Sequence, residues 1–218
     1  MSKVLRLLLW PFYKVIEKYK NIELGIKVSQ LAHFEATSRI YAPQRLDCPS
    51  KIYLYENTNI NEGAIIIISS ASKEGKFIMK KNSGAAANLT VITGNHQRIV
   101  GNNFKELAQK HRGDIDKDVV VEEDVWLGAN VTLLAGVTVG RGATVGSGSV
   151  CIKSVPPYAV VMGNPAKVVG FNYSPEEVIE HEKKLYSEEE RLPLSLLEKN
   201  YKKYFLDRIF EIKSFIKL

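Results

Sequence analysis

The stretch IDKDVV VEEDVW LGANVT LLAGVT VGRGAT VGSGSV, residues 115–150 written in sixes, decides the fold. Every first position is Ile, Val or Leu. Every fifth is small or β-branched: Val119, Val125, Val131, Val137, Ala143 and Ser149. The second position is mostly Gly or acidic. A period of six matches neither the 3.6 of an amphipathic helix nor the 2 of a simple hairpin strand. A short strand that turns every six residues fits, and three such strands close a triangular coil. The bulky first residue then points into the prism, and the fifth is small because it lies near a corner. Gly and Asn take the tight-turn conformations. Each coil needs stacked neighbours to bury its core.

The frame runs upstream with less regularity. MKKNSG from Met79 and AAANLT from Ala85 fit it, and Val91 opens the next rung. LYENTN from Leu54 and INEGAI from Ile60 fit an earlier frame. IIISSASKEGKF, 66–77, slips the register and marks a loop or an irregular coil. A second break follows TVITGN: the chain leaves the ladder at Asn95 and resumes it at Ile115. The segment between is polar and carries six Lys, Arg and His residues. A loop thrown out of a rigid repeat is where function tends to sit, and His96 stands at its root.

Three parts follow. Residues 1–25 form an apolar and basic helix, with Lys3, Arg6, Lys14, Lys18 and Lys20 against Glu17 and Glu23. Large aromatics where a cleavage site would need small residues argue for a retained segment rather than a leader. It packs on its own protein or on another subunit, or it rests on an anionic membrane as peripheral contact. Residues 30–170 form the repeat domain, with the loop 94–114 protruding. From residue 174 to 218 the chain is helical: Ser174, Pro175 and Glu177 give an N-cap, a first-turn proline and a capping-box acid. A charged helix runs to about Arg191. After Pro193 one further helix carries Leu197, Tyr201, Tyr204, Phe205, Ile209 and Ile212 near helical spacing.

The composition narrows the class. Of 218 residues 45% are hydrophobic and 25% charged, which allows a sizeable core. A net charge of +6 favours anionic partners such as phosphate-bearing cofactors. No run of aromatics interleaves with the basic residues as in an RNA-binding sheet, which argues against nucleic acid. No run reaches the roughly 18 apolar residues of a membrane span. Two cysteines, Cys48 and Cys151, make no disulfide framework and fit a reducing cytoplasm as small buried hydrophobes.

The run VVVEEDVWLGANVTLLAGVTVGRGATVGSGSVCIKSVPPYAVVMGNPAKVV, 119–169, resembles the signature of hexapeptide-repeat acyltransferases, all-β proteins built on a left-handed parallel β-helix. The subgroup resembled is the sugar and antibiotic O-acetyltransferases, and SPEEVIEHEKKLYSEEERL resembles the tail of polysaccharide-type members. The resemblance implies a cytoplasmic homotrimer that uses acetyl-CoA, requires no metal and places its sites between neighbouring prisms. It implies His96 as catalytic base and Trp126 near the acyl end of the donor. It implies Ala129 and Ser147 bonding the pantetheine chain, Ile152 and Lys153 near the nucleotide, and Lys167 near the CoA phosphates. Asn59 and Asn61 stand where acceptor-binding asparagines occur. Asn95 and His111 in or beside the loop are further acceptor candidates. The group that orients His96 stays open between Asp114, Asp116 and a backbone oxygen.

Acetyl transfer to a hydroxyl needs a base, and a histidine with an ordinary pKa of about 6.5 is mostly neutral at pH 7. The expected acceptor is a sugar or polysaccharide precursor, with an antibiotic as the alternative and an amine less favoured. The protein then works in the cytoplasm, at the inner face of a membrane if the first helix rests there. Two other classes use the same prism. A zinc hydrase needs three histidines, and only His96 and His111 are near each other in sequence. A non-catalytic trimeric scaffold would need no base.

Overall fold

In the computed structural model, residues 9–16, 28–70, 74–108 and 115–216 are described. The chain winds repeatedly through three parallel sheets. Face one holds β1 (His33–Phe34), β4 (Ile52–Leu54), β7 (Phe77–Met79), β10 (Val119–Val121) and β13 (Thr138–Val139). Face two holds β2 (Arg39–Ile40), β5 (Asn59–Ile60), β8 (Gly84–Ala85), β11 (Trp126–Leu127), β14 (Thr144–Val145) and β16 (Ala159–Met162). Face three holds β3 (Arg45–Leu46), β6 (Ile65–Ile67), β9 (Thr90–Ile92), β12 (Thr132–Leu134) and β15 (Val150–Cys151). The coils therefore begin at residue 33. β17 (Lys167–Phe171) turns back antiparallel on β16 and ends the coil.

The six-residue period maps directly onto burial. The first positions Val121, Leu127, Leu133, Val139 and Val145 are fully buried, as are the fifth positions Val119, Val131 and Ser149. Each large aliphatic side chain so buried contributes about 1.5–3 kcal/mol. The corner itself falls on the fourth position. Asp124 and Asn130, with φ near +57° and +59°, and Gly136, Gly142 and Gly148 occupy the left-handed region there. Asn and Asp visit this region more readily than other non-glycine residues. Asparagines at successive corners also bond to each other, Asn57 Nδ2 to Asn82 Oδ1 at 3.2 Å and Asn88 Nδ2 to Asn130 Oδ1 at 3.1 Å.

The rungs are not all equal. Trp126 lies opposite Thr144, eighteen residues on, which is the regular coil. Asn59 lies opposite Gly84 with a separation of 25, and Gly84 opposite Trp126 with a separation of 42. The surplus leaves the prism after β6 and again after β9, so both excursions emerge at the edge between faces three and one. The ladder is continuous across them: the Thr93 N–H donates to Ile67 O and the Lys117 N–H to Thr93 O. Re-entry comes at Lys117 rather than Ile115, and the first strand after it starts at Val119.

The helices are α1 (residues 9–16), α2 (Phe104–Ala108), α3 (Pro175–Leu185), α4 (Leu194–Tyr204) and α5 (Ile209–Ile216). The rest of the segment 1–25 lies outside the described residues. Ser174 and Glu177 form the expected capping box: the Glu177 N–H donates to Ser174 Oγ, and the Ser174 N–H to Glu177 Oε2.

Three expectations are corrected. The charged helix stops at Leu185, and a 3₁₀ turn spans Glu188–Glu190. The single helix after Pro193 is two, because the chain breaks at Phe205 and passes through a 3₁₀ turn, Leu206–Arg208. The break lets Phe205 gather with Tyr201 and Phe171, ring centroids 5.2 and 6.4 Å away, while Ile212 is buried. Tertiary packing overrides helical periodicity there. Cys48 is half-buried rather than buried and takes a corner conformation, φ +51°, ahead of Pro49. Cys151 is buried as expected.

Candidate active site

The two excursions, stacked on one edge, enclose a pocket of about 410 Å³ between them. Ile67, Ile68 and Ser69 come from the first, and Ile92, Gly94, Asn95, His96 and Asp116 from the second. The pocket thus has an aliphatic wall from the ends of β6 and β9 and a polar mouth. Asp116 is buried, 4% exposed, and its carboxylate packs against Gly94, where a Cβ would collide with it. Of the candidates for orienting His96, Asp116 lines this pocket; Asp114 lies outside the described residues. Lys51 Nζ donates to Ser69 O at 2.7 Å, and Asp118 Oδ1 accepts from the Gly75 and Lys76 N–H groups. These bonds tie the first excursion to the prism and fix the pocket's rim.

His96 is exposed at the mouth. Its backbone N–H donates to Asn95 Oδ1 at 2.8 Å. The ring meets Phe104 of α2 edge-on, centroids 5.2 Å apart at 88°. The Arg98 guanidinium lies 4.9 Å from the Phe104 centroid. The loop therefore returns to its own root, and Phe104 is a contact of His96 that periodicity did not reveal. His111 lies outside the described residues.

The other candidates fall into separate groups. Trp126 stands about half exposed on face two, with Gly84 between it and Asn59. Gly84 separates them: a Cβ there would stand 2.8 Å from Asn59 Oδ1 and 3.2 Å from two indole carbons. Asn59 Nδ2 reaches Asn61 Oδ1 at 3.5 Å. Gly84 was overlooked in the sequence, although a lone glycine in a strand signals a close approach. Ala129 and Ser147 meet at the corner between faces two and three, where the Ala129 N–H donates to Ser147 Oγ at 3.2 Å. Ile152 and Lys153, both exposed, follow β15 on the same edge as His96, two coils further on. Lys167 begins β17 and pairs with Glu211 of α5 at 3.5 Å.

In a three-faced prism the edge between faces three and one is opposite face two. One protomer therefore holds His96 on one side and the Asn59–Trp126 group on the other. Among the described residues, no group of three His, Cys, Asp or Glu side chains could hold a metal.

Short parallel strands on three faces, six-residue rungs and excursions confined to one edge define a β-helix of six-residue rungs. Residues 118–153 match the family described as bacterial transferase hexapeptide (six repeats). A hexapeptide-repeat-containing acetyltransferase from Vibrio cholerae is similar, at 20% identity and TM-score 0.58, over 73% of this chain and 90% of that one. The same enzyme complexed with acetyl coenzyme A matches over 72% and 85%, again at 20% and 0.58. A maltose O-acetyltransferase from Clostridium difficile 630 matches at 22% identity and TM-score 0.55, over 78% of this chain and 89% of that one. A galactoside acetyltransferase in complex with coenzyme A matches at 18% and 0.58, over 88% and 99%. No curated protein matches in sequence. At such identities the likeness establishes the fold, and the chain has the repeat architecture of these acetyltransferases along nearly their whole length.

Proposed function

We propose that the protein is an acetyl-CoA-dependent O-acetyltransferase acting on a hydroxyl of a sugar or polysaccharide precursor, with His96 as general base. The observation that carries this reading is the pocket between the two excursions, with His96 and Asp116 on an aliphatic wall. His96 takes the acceptor's hydroxyl proton as the oxygen attacks the thioester carbonyl. The tetrahedral oxyanion is held by a backbone N–H of the prism. The C–S bond then breaks, and the imidazolium returns its proton to the departing thiolate. Asp116 is the favoured group for orienting the imidazole. No acyl-enzyme is required.

The same reading takes the coil as left-handed and the protein as a cytoplasmic homotrimer with sites between copies. The opposition of His96 to the Asn59–Trp126 face supports it, because one copy's edge can complete its site only against another copy's face. Ile152 and Lys153, below His96 on that edge, suit a donor chain running along it toward its nucleotide.

Titration with acetyl-CoA tests the donor without knowledge of the acceptor. Saturable binding retained in His96→Ala, with transfer reduced by about 10²–10⁴-fold, is the expected result. Equal turnover in the variant rules out the base assignment. Absence of donor binding leaves a β-helix scaffold instead.

A further inference from the structure

α1 is the least covered element among the described residues. It reads LWPFYKVI, and every one of its residues is exposed. Trp10 is 58% open, Phe12 67% and Val15 67%. At about 100° per residue, Phe12, Ile16, Leu9, Tyr13 and Trp10 cover one broad arc with Val15 at its margin. Lys14 falls at the arc's other margin, one turn on from Trp10. Its ammonium reaches back over the Trp10 ring, 5.0 Å from the centroid. Trp10 and Tyr13 are stacked with centroids 6.0 Å apart. The sequence around α1 adds Lys3, Arg6, Lys18 and Lys20 against Glu17 and Glu23. No helix among the described residues is long and apolar enough to cross a membrane.

We propose that α1 binds the surface of an anionic lipid bilayer, with its aromatic and aliphatic arc in the interfacial layer and Lys14 at the headgroups. Two observations favour lipid over a protein groove. The flanking charge is mainly basic and complements anionic headgroups, each basic residue near such a surface strengthening attachment. Trp and Tyr side by side suit the interface, where amphipathic rings are enriched. One such helix with a few basic residues gives reversible attachment. This inference does not depend on the proposed catalysis: the helix would hold the prism at a membrane whatever the acceptor. If the acceptor is a lipid-linked saccharide, attachment would raise its local concentration.

The test uses the full chain and vesicle sedimentation, with phosphatidylcholine vesicles as control and phosphatidylglycerol added to the test set. The expected result is binding to the anionic vesicles only, weakened by salt, with a blue shift of fluorescence that Trp10→Phe removes. Trp10→Ser with Phe12→Ser should lower partitioning by about tenfold or more, and Lys14→Glu should lower it severalfold. Thermal unfolding and acetyl-CoA binding of both variants should match the parent, which separates this inference from the catalytic one. Undiminished vesicle binding in the double variant overturns the proposal, as does no binding by the parent. A change of oligomeric state in the double variant, with vesicle binding unaltered, would assign α1 to another copy of the chain instead.

Discussion

Tyr158 Oη donates to Glu182 Oε1 at 2.9 Å, joining the last corner of the prism to α3 inside the protein. Glu182 is fully buried. It also accepts from Arg141 Nη1 at 3.2 Å and, through Oε2, from the Leu192 N–H at 2.6 Å. Arg141 donates in turn to Glu123 and to Glu190 O, and stacks over Tyr186 at 4.2 Å. Burial, followed by the hydrogen bond to Glu182, holds the Tyr158 hydroxyl protonated well above the usual tyrosine range. One carboxylate therefore locks the C-terminal helices to the coil.

Glu182→Ala should destabilise the protein by about 3–5 kcal/mol, because it leaves Arg141 and the Leu192 N–H without their buried acceptor. Glu182→Gln keeps the shape and should lose less, about 1–3 kcal/mol. Chemical denaturation compares the two. A cost below 1 kcal/mol for Glu182→Ala would show that α3 is not anchored through this residue.

Gly84→Ala should push Trp126 off Asn59, since the added methyl would stand within 3.2 Å of both. The backbone there is not left-handed, so the cost is overpacking alone, about 1–3 kcal/mol. Trp126 emission should change while the coil's circular dichroism does not. Unchanged emission would mean that the indole does not lie over Gly84.

Asn130→Ala should cost about 1–2 kcal/mol by placing alanine at φ near +59°. It also removes the 3.1 Å bond from Asn88. Asn130→Gly should recover most of the backbone part. Equal losses in the two variants, read from urea midpoints, would assign the effect to the side-chain bond instead.

Burial pushes the Cys151 thiol up to about 11 from an ordinary value of 9.0. The folded protein keeps its proton where the unfolded chain loses it. This stability is fully present below pH 9 and is lost as pH rises from 9 to about 11. The change is at most about 2.7 kcal/mol, two units at 1.36 kcal/mol each. Tyr186, pushed by burial to about 12 from 10.0, adds a loss at higher pH. Cys151→Ala should flatten the slope between pH 9 and 10. An unaltered slope would place the alkaline sensitivity elsewhere.

The regular coils were legible because one residue decides one direction. Val121, Leu127 and Leu133 are inward because each is followed by a corner at the same distance. The capping box at Ser174 was legible for the same reason: its partners lie three residues apart. Phe205 was not, because its break serves contacts with Phe171, 34 residues earlier. Cys48 was misread because a corner before Pro49 outweighs the preference of a thiol for burial.

The period of six determined, from the sequence alone, that the chain coils in a three-faced prism. It also determined which side chains fill the prism and where the chain must leave it. It did so because burial and turning within a coil are local. Tertiary structure alone decided that both excursions leave by one edge, that Asp116 returns beside Gly94 in the pocket His96 lines, and that Trp126 and Asn59 flank Gly84. It also decided that Glu182 meets Tyr158 and Arg141. These neighbours are joined by stacking between coils, and the chain length from rung to rung changes from 20 to 25 to 42 before settling at 18. Local pattern carries no count of such detours, so only the closed hydrogen-bond ladder brings those residues together.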